Sequence, residues 1–271
     1  MPRSSPQDAP PLAVWPCAQT PAEQQRREHR LTPPVAPAAP AMPPELTQRL
    51  VTELSRPGDL VADVMCGSGT LTLVAARARR RVVALDLEPE CLAQTAAHLA
   101  YADDRASRQV LELVEGDARL AADLLTGHRI DLAVLTPPAP AAEHVPGDIP
   151  DSNLAALDGA AYTRALTDAL AAVSARMRPG ARLAALALHP GDDAPMAAWV
   201  PDLVQAAEDA GLDYRQHTIA LTVPLVGDAI AAEPAPAEDP ALGHHRPVHE
   251  HVLVFTKPAR ESAGTEAEQR R

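Results

Sequence analysis

The sequence predicts an α/β protein: an open, mostly parallel sheet of seven strands with helices on both faces. Strand-like and helix-like segments alternate from residue 45 onward, the pattern that builds crossovers in one sheet. The first strand runs directly into a glycine-rich turn and a helix. Twelve of the 29 prolines fall within residues 1–44, so the breakers cluster outside the alternating region.

The elements follow in order. In Glu45–Ser55, Leu46, Leu50, Val51 and Leu54 recur at helical spacing behind a proline start. Leu60–Met65 is an apolar run entered through Pro57-Gly58-Asp59 and reads as a buried strand. Helix Leu71–Arg79, strand Arg81–Leu85 and helix Pro89–Ala100 come next. Val110–Val114 and Leu132–Leu135 are two further strands, with a short helix at Ala118–Leu125 between them. Ala160–Met177 places Tyr162, Leu166, Leu170, Val173 and Met177 on one stripe and ends at Pro179-Gly180. Strands Arg182–Leu188, Tyr214–Leu221 and His251–Thr256 complete the seven, with a helix at Pro195–Ala210 after the first of these.

Residues 1–41 read as a largely irregular arm. So many prolines, with Gln24-Gln25 and few large apolar side chains, bury too little surface to offset the ordering entropy. Val14-Trp15 is its candidate anchor. The α/β domain spans residues 42–258, and 259–271 is a disordered tail.

Composition narrows the function. The net charge of −12 divides into +1 over residues 1–58, −4 over 59–135 and −9 over 136–271. Surfaces that bind duplex nucleic acid are basic, so this charge disfavours such a partner. Arg77, Arg79, Arg80 and Arg81 form the one dense basic run and read as a solvated helix end. Three cysteines cannot build a disulfide framework, and their spacing is not that of a zinc site. His244, His245, His249 and His251 lack a ligand pattern and read as a loop entering the last strand, so no metal is expected. No apolar run reaches the roughly 18 residues of a membrane span, and Met1–Cys17 lacks a signal-peptide core. The expectation is a cytoplasmic protein, without a membrane partner and with its oligomeric state open.

The chemistry concentrates in Asp63-Val64-Met65-Cys66-Gly67-Ser68-Gly69-Thr70, at the strand-to-helix turn where open α/β sheets bind ligands. Gly67 and Gly69 permit a tight turn and close backbone approach. A dinucleotide fingerprint needs a glycine where Thr72 stands, and a P-loop needs a Gly-Lys pair that is absent. Asp86 closes the second strand and suits the two hydroxyls of a ribose. Asp117, after the third strand, suits an adenine amino group. A glycine turn and two acids describe an adenosine-containing ligand without phosphates, which S-adenosylmethionine satisfies. Cys66, beside the turn, reads as a small packing residue rather than a reactive thiol.

Asp63–Thr70, the preceding Arg56-Pro57-Gly58-Asp59 and the strand bearing Asp86 resemble the cofactor site of Rossmann-like class I methyltransferases. More narrowly, they resemble the amino-methylating (N4-cytosine and N6-adenine) DNA methyltransferases and the related tRNA guanosine-N2 methyltransferases. Val14-Trp15 with Gln19, and His249–Phe255, are similar to the ends of a bacterial branch of that family. The resemblance implies S-adenosyl-L-methionine as cofactor, held by Asp63, Met65, Cys66, Gly67, Ser68, Gly69, Asp86 and Asp117. It also implies methyl transfer to an exocyclic amine of a nucleic-acid base.

In that family the fourth strand ends in (Asp/Asn/Ser)-Pro-Pro-aromatic, which grips the amine and stacks on the flipped base. Here it ends in Thr136-Pro137-Pro138-Ala139, so Thr136, Pro137 and Pro138 are the catalytic candidates. Ala139 removes the ring. Base–aromatic stacking is worth about 1–3 kcal/mol, so its loss costs roughly 5- to 150-fold in rate. Two alternatives stay open: a non-catalytic S-adenosylmethionine-binding module, and a methyltransferase acting on a small molecule or protein.

Overall fold

The computed structural model describes residues 12–35, 42–140, 153–187, 200–231 and 248–259. The apolar runs become parallel strands at the centre: Leu60–Val64 (β2), Arg81–Asp86 (β3), Val110–Glu115 (β4), Ile130–Leu135 (β5) and Met177–Ala187 (β6). Asp213–Leu221 (β7) follows, and His249–Thr256 (β10) inserts antiparallel between β6 and β7. A small hairpin, Leu225–Val226 (β8) with Ala229–Ile230 (β9), precedes it.

Helices cover both faces because strand side chains alternate. Leu60, Ala62 and Val64 of β2 face a core completed by Leu166, Leu170 and Val173 of Gly159–Arg176 (α7) and by Leu203 of Val200–Asp209 (α8). Val61 points the other way, into a core with Leu46, Leu50 and Val51 of Pro44–Leu54 (α2) and Leu71 and Ala75 of Thr70–Arg77 (α3). Pro89–Ala100 (α4) carries the chain from β3 to β4. The strand order is β7-β10-β6-β5-β2-β3-β4. The chain therefore moves outward from β2 to β4 and then returns to β5 on the other side. That reversal, between β2 and β5, is where open sheets hold ligands at their carboxyl edge.

An eighth strand corrects the reading of the arm. Val14–Pro16 (β1) pairs in parallel with β7, setting Trp15 opposite Ala220. Trp15 is 2% exposed, and its burial outweighs the ordering cost that proline composition suggests. Pro16 is tolerated because β1 is an edge strand. Ala22–Glu28 (α1) follows, and its Gln25 is a buried staple rather than a mark of irregularity. The Gln25 amide donates to the carbonyls of Cys17 (3.2 Å) and Thr20 (2.7 Å), and its oxygen accepts from Glu45 N (2.9 Å) at the start of α2.

The arginine run is corrected too. Arg79 and Arg81 are exposed, but Arg80 is only 5% exposed. Its guanidinium donates to Ser55 Oγ (3.0 Å), Ser55 O (2.8 Å), Val51 O (3.2 Å) and Ala78 O (2.8 Å). It thereby satisfies carbonyls that the end of α2 leaves open. Arg77 reaches the His29 carbonyl (3.3 Å), tying α3 to the arm. The last strand starts at His249, two residues before the expected His251, and His251 Nδ1 lies 2.7 Å from His217 Nε2.

The readings for residues 1–11 and 36–41, for 195–199 of the predicted helix, for Leu188 of the fifth strand, for His244 and His245 and for the tail from 260 lie outside the described residues.

Replacing Arg80 with Met keeps the buried stem and removes every donor. The chain should lose about 2–3 kcal/mol of unfolding free energy in urea titrations. An unchanged midpoint and slope contradict the role given to Arg80.

Candidate active site

β2 ends at Val64, and the chain turns on three residues with positive φ: Met65 (67°), Gly67 (52°) and Gly69 (73°). For a side chain as bulky as that of Met65, this conformation persists only where surrounding contacts impose it. Met65 N and Cys66 N both donate to the Leu85 carbonyl (2.9 and 3.0 Å), and Gly67 N donates to Asp86 Oδ2 (2.7 Å). The turn is thus clamped onto the end of β3. A Cβ on Gly69 would lie 2.3 Å from Thr95 Oγ1, so this glycine serves helix packing. A Cβ on Gly67 would meet nothing within 4 Å, so Gly67 leaves open space at the cavity.

Asp63 Oδ2 accepts from both the N–H (2.9 Å) and the hydroxyl (2.6 Å) of Thr72. Thr72 occupies the place of a third fingerprint glycine, and its hydroxyl locks the base of the turn. Burial pushes the Asp63 carboxyl up to about 7; the Thr72 bonds oppose this, and the nearby Asp86 charge adds to it. Burial also raises Asp86, against the N–H groups of Glu88 and Gly67. Asp86 Oδ1 accepts from Glu88 N at 2.9 Å. The Leu87 N–H also acts on this carboxylate, and a carboxylate has about four acceptor positions, so Asp86 keeps acceptor capacity for a ligand hydroxyl.

One cavity at the carboxyl edge gathers the predicted groups. Asp63, Met65, Cys66, Gly67 and Ser68 line it from the turn, and Asp86 and Asp117 from the ends of β3 and β4. Thr136 and Pro138 line it from β5. Gly69 and Pro137 are not among the residues that line it. Asp117 is engaged already: its carboxylate accepts the Arg119 N–H (2.8 Å) and pairs with the Arg119 guanidinium. Burial works to raise the Asp117 carboxyl, but the Arg119 bonds and charge hold it below its ordinary value. Cys66 and Cys91 also face the cavity. Burial raises both thiols, Cys91 to about 12, which fits packing rather than nucleophilic roles.

The sequence missed several contributors. Pro34 and Met42 reach the cavity from the arm and the start of α2, and Asn153, Leu154 and Ala155 cover it from a 3-10 turn. Asn153 Nδ2 donates to Glu88 Oε1 at 2.9 Å. Tyr162, which the apolar stripe of α7 marked as core, is 2% exposed, and its hydroxyl donates to the Pro138 carbonyl at 2.7 Å. Burial raises the phenol, so it stays a donor. Tyr162 sits behind the proline pair, outside the cavity wall.

The ionisable side chains among the described lining residues are Asp63, Asp86, Glu88 and Asp117, all carboxyls; burial favours the protonated form of Asp63, and Arg119 pairs with Asp117. S-adenosylmethionine fits this lining: it brings a nucleoside with a free diol, no phosphate, and sulfonium and ammonium cations. A pyrophosphate would meet carboxylates with no cation among these residues to offset them.

The known proteins agree with this fold. Residues 2–97 match the model of a family described as DNA methylase. No protein of curated function matches. TrmN from Thermus thermophilus is similar, with 21% identity and a TM-score of 0.51 over 80% of this chain and 49% of that one. The chain thus spans about half the length of TrmN. The precorrin-6y C5,15-methyltransferase of Geobacter metallireducens aligns at 14% identity and TM-score 0.53, over 84% of this chain and 95% of that one. The glycopeptide N-methyltransferase MtfA, complexed with sinefungin, aligns at 14% identity and TM-score 0.53, over 83% and 90%.

The Asp63 titration makes a testable signature. Its folded value, about 7, lies above the ordinary 3.8, so the folded state holds a proton that the unfolded state has released. Stability from this group is therefore present below the ordinary value and declines as pH rises toward 7. Urea midpoints across that interval should fall in wild type relative to Asp63→Asn, which does not titrate. Parallel profiles contradict the assignment. Residues 2–97 are thus similar to the DNA methylase family, and the chain shares its fold with these methyltransferase structures.

Proposed function

We propose that the chain transfers a methyl group from S-adenosylmethionine to an amine nitrogen held at Thr136–Pro138. The observation that carries this reading is the shared cavity: Gly67 and Asp86 on one side and Thr136 and Pro138 on the other line the same space. When bound, S-adenosylmethionine supplies an electrophilic sulfonium methyl. Asp86 would accept from the ribose hydroxyls with its remaining acceptor capacity, and the Gly67–Ser68 backbone would admit the ligand closely.

At the acceptor end, the Thr136 hydroxyl and the carbonyls of the proline segment accept the N–H groups of the amine and orient its lone pair. Tyr162 already occupies one side of the Pro138 carbonyl, which stiffens that segment. No strong base faces this point among the described residues, so the rate rests on positioning. A nucleic-acid base is the acceptor that the DNA methylase match favours.

The acidic lining favours a second reading, a small molecule or protein amine. A cytoplasmic, reducing setting suits three free and buried cysteines.

Methyl-labelled S-adenosylmethionine incubated with purified protein and bulk DNA, tRNA or a panel of small amines and peptides separates these readings. Label in DNA or tRNA supports the base as acceptor. Label only in the panel replaces it with the second reading. Cofactor binding without turnover on any substrate overturns the enzymatic reading in favour of a binding module. Asp86→Ala should abolish cofactor binding by calorimetry, and unchanged affinity contradicts the ribose assignment.

A further inference from the structure

Residues 31–35 cross from the arm onto α4, and five hydrogen bonds to two side chains hold them there. Gln94 Nε2 donates to Thr32 Oγ1 (2.7 Å) and to the Pro33 carbonyl (2.6 Å), and Gln94 Oε1 accepts from Val35 N (3.1 Å). One turn further along α4, His98 Nε2 lies 3.1 Å from Thr32 N and 2.9 Å from Thr32 Oγ1. Gln94 and His98 are 8% and 4% exposed, so neither is a solvated helix residue. Leu31, 7% exposed, anchors the near end.

His98 also holds the glycine turn. Its Nδ1 is 2.9 Å from the Ser68 carbonyl. A carbonyl only accepts, so Nδ1 carries the proton. The Thr32 N–H only donates, so Nε2 presents its lone pair. The geometry assigns one neutral tautomer that joins segment 31–35 to the turn lining the cofactor cavity. Pro34, in the middle of the segment, lines that same cavity.

We propose that residues 31–35 are a strap forming one wall of the cofactor site, and that cofactor leaves when the strap lifts from Gln94 and His98. Both are positioning residues: they act through the strap and the turn. The strap side chains Thr32, Pro33 and Val35 are exposed, so the segment is fastened mainly by these polar bonds and by Leu31. Such a segment opens at far lower cost than the sheet it lies beside. The proposal rests on S-adenosylmethionine being the ligand of the cavity.

The test is the dissociation rate of S-adenosylmethionine from the full chain, read by stopped-flow displacement with sinefungin, alongside melting temperature. Gln94→Ala removes three of the five bonds and should speed dissociation roughly 10- to 100-fold. Thr32→Ala, at an exposed position, should speed it roughly 3- to 10-fold with an unchanged melting temperature, and Thr32→Ser should restore the wild-type rate. Wild-type rates in Gln94→Ala and Thr32→Ala overturn the strap while leaving the cofactor reading intact. A rate that follows melting temperature, with no effect of Thr32→Ala, reduces Gln94 to a structural role and overturns it as well. Wild-type protein that binds no S-adenosylmethionine defeats the cofactor reading, and the strap falls with it.

Discussion

Where β2 ends, the chain must reverse over the sheet while staying in contact with β3, and the Asp86 carboxylate makes this possible. It receives the Gly67 N–H at 2.7 Å and the Glu88 N–H at 2.9 Å, joining the turn after β2 to the turn after β3. With Met65 N and Cys66 N on the Leu85 carbonyl, the backbone is held in the left-handed region at Met65. The cavity follows from that clamp: the held turn lines one side, and Thr136 and Pro138 after β5 line another. Asp63 works beneath it, spending its buried carboxyl on Thr72 so that α3 starts at a set place.

The electrostatics of the cavity divide the ligand question in two. Acidic lining side chains suit a cationic cofactor and oppose a phosphate-bearing one. The same property weighs against a polyanion approaching the acceptor end, where the sequence also loses its aromatic at Ala139. In the proposed transfer, Thr136 and the proline carbonyls would accept the N–H groups of the amine, and Tyr162 holds the Pro138 carbonyl. The arm contributes as well, since Pro34 and Met42 reach the same cavity.

The sheet and the glycine turn were legible because both rest on local signals: buried apolar runs of strand length and two glycines at a strand exit. Asp86 was legible by position at the end of β3. Asp117 lines the cavity, but its Arg119 partner was not foreseen, because a pair two residues apart leaves no periodic mark. Within the arm the Val14-Trp15 anchor was legible and Trp15 is buried, but the short strand and helix around it were not, because a three-residue edge strand has no period and the buried role of Gln25 depends on tertiary partners. Arg80 read as part of a solvated helix end, and Gln94 and His98 carried no signal; only the tertiary partners from α2, the arm and the glycine turn show that all three are buried connectors.

Under the proposed function, the clamp at Asp86 and the acidic wall around it would select a nucleoside cation over a nucleoside phosphate. Calorimetric titration of the full chain with S-adenosylmethionine and, separately, with NAD tests this most directly. The structure predicts saturable, one-to-one binding of S-adenosylmethionine and no detectable heat of binding with NAD. Binding of NAD, with none of S-adenosylmethionine, contradicts the account.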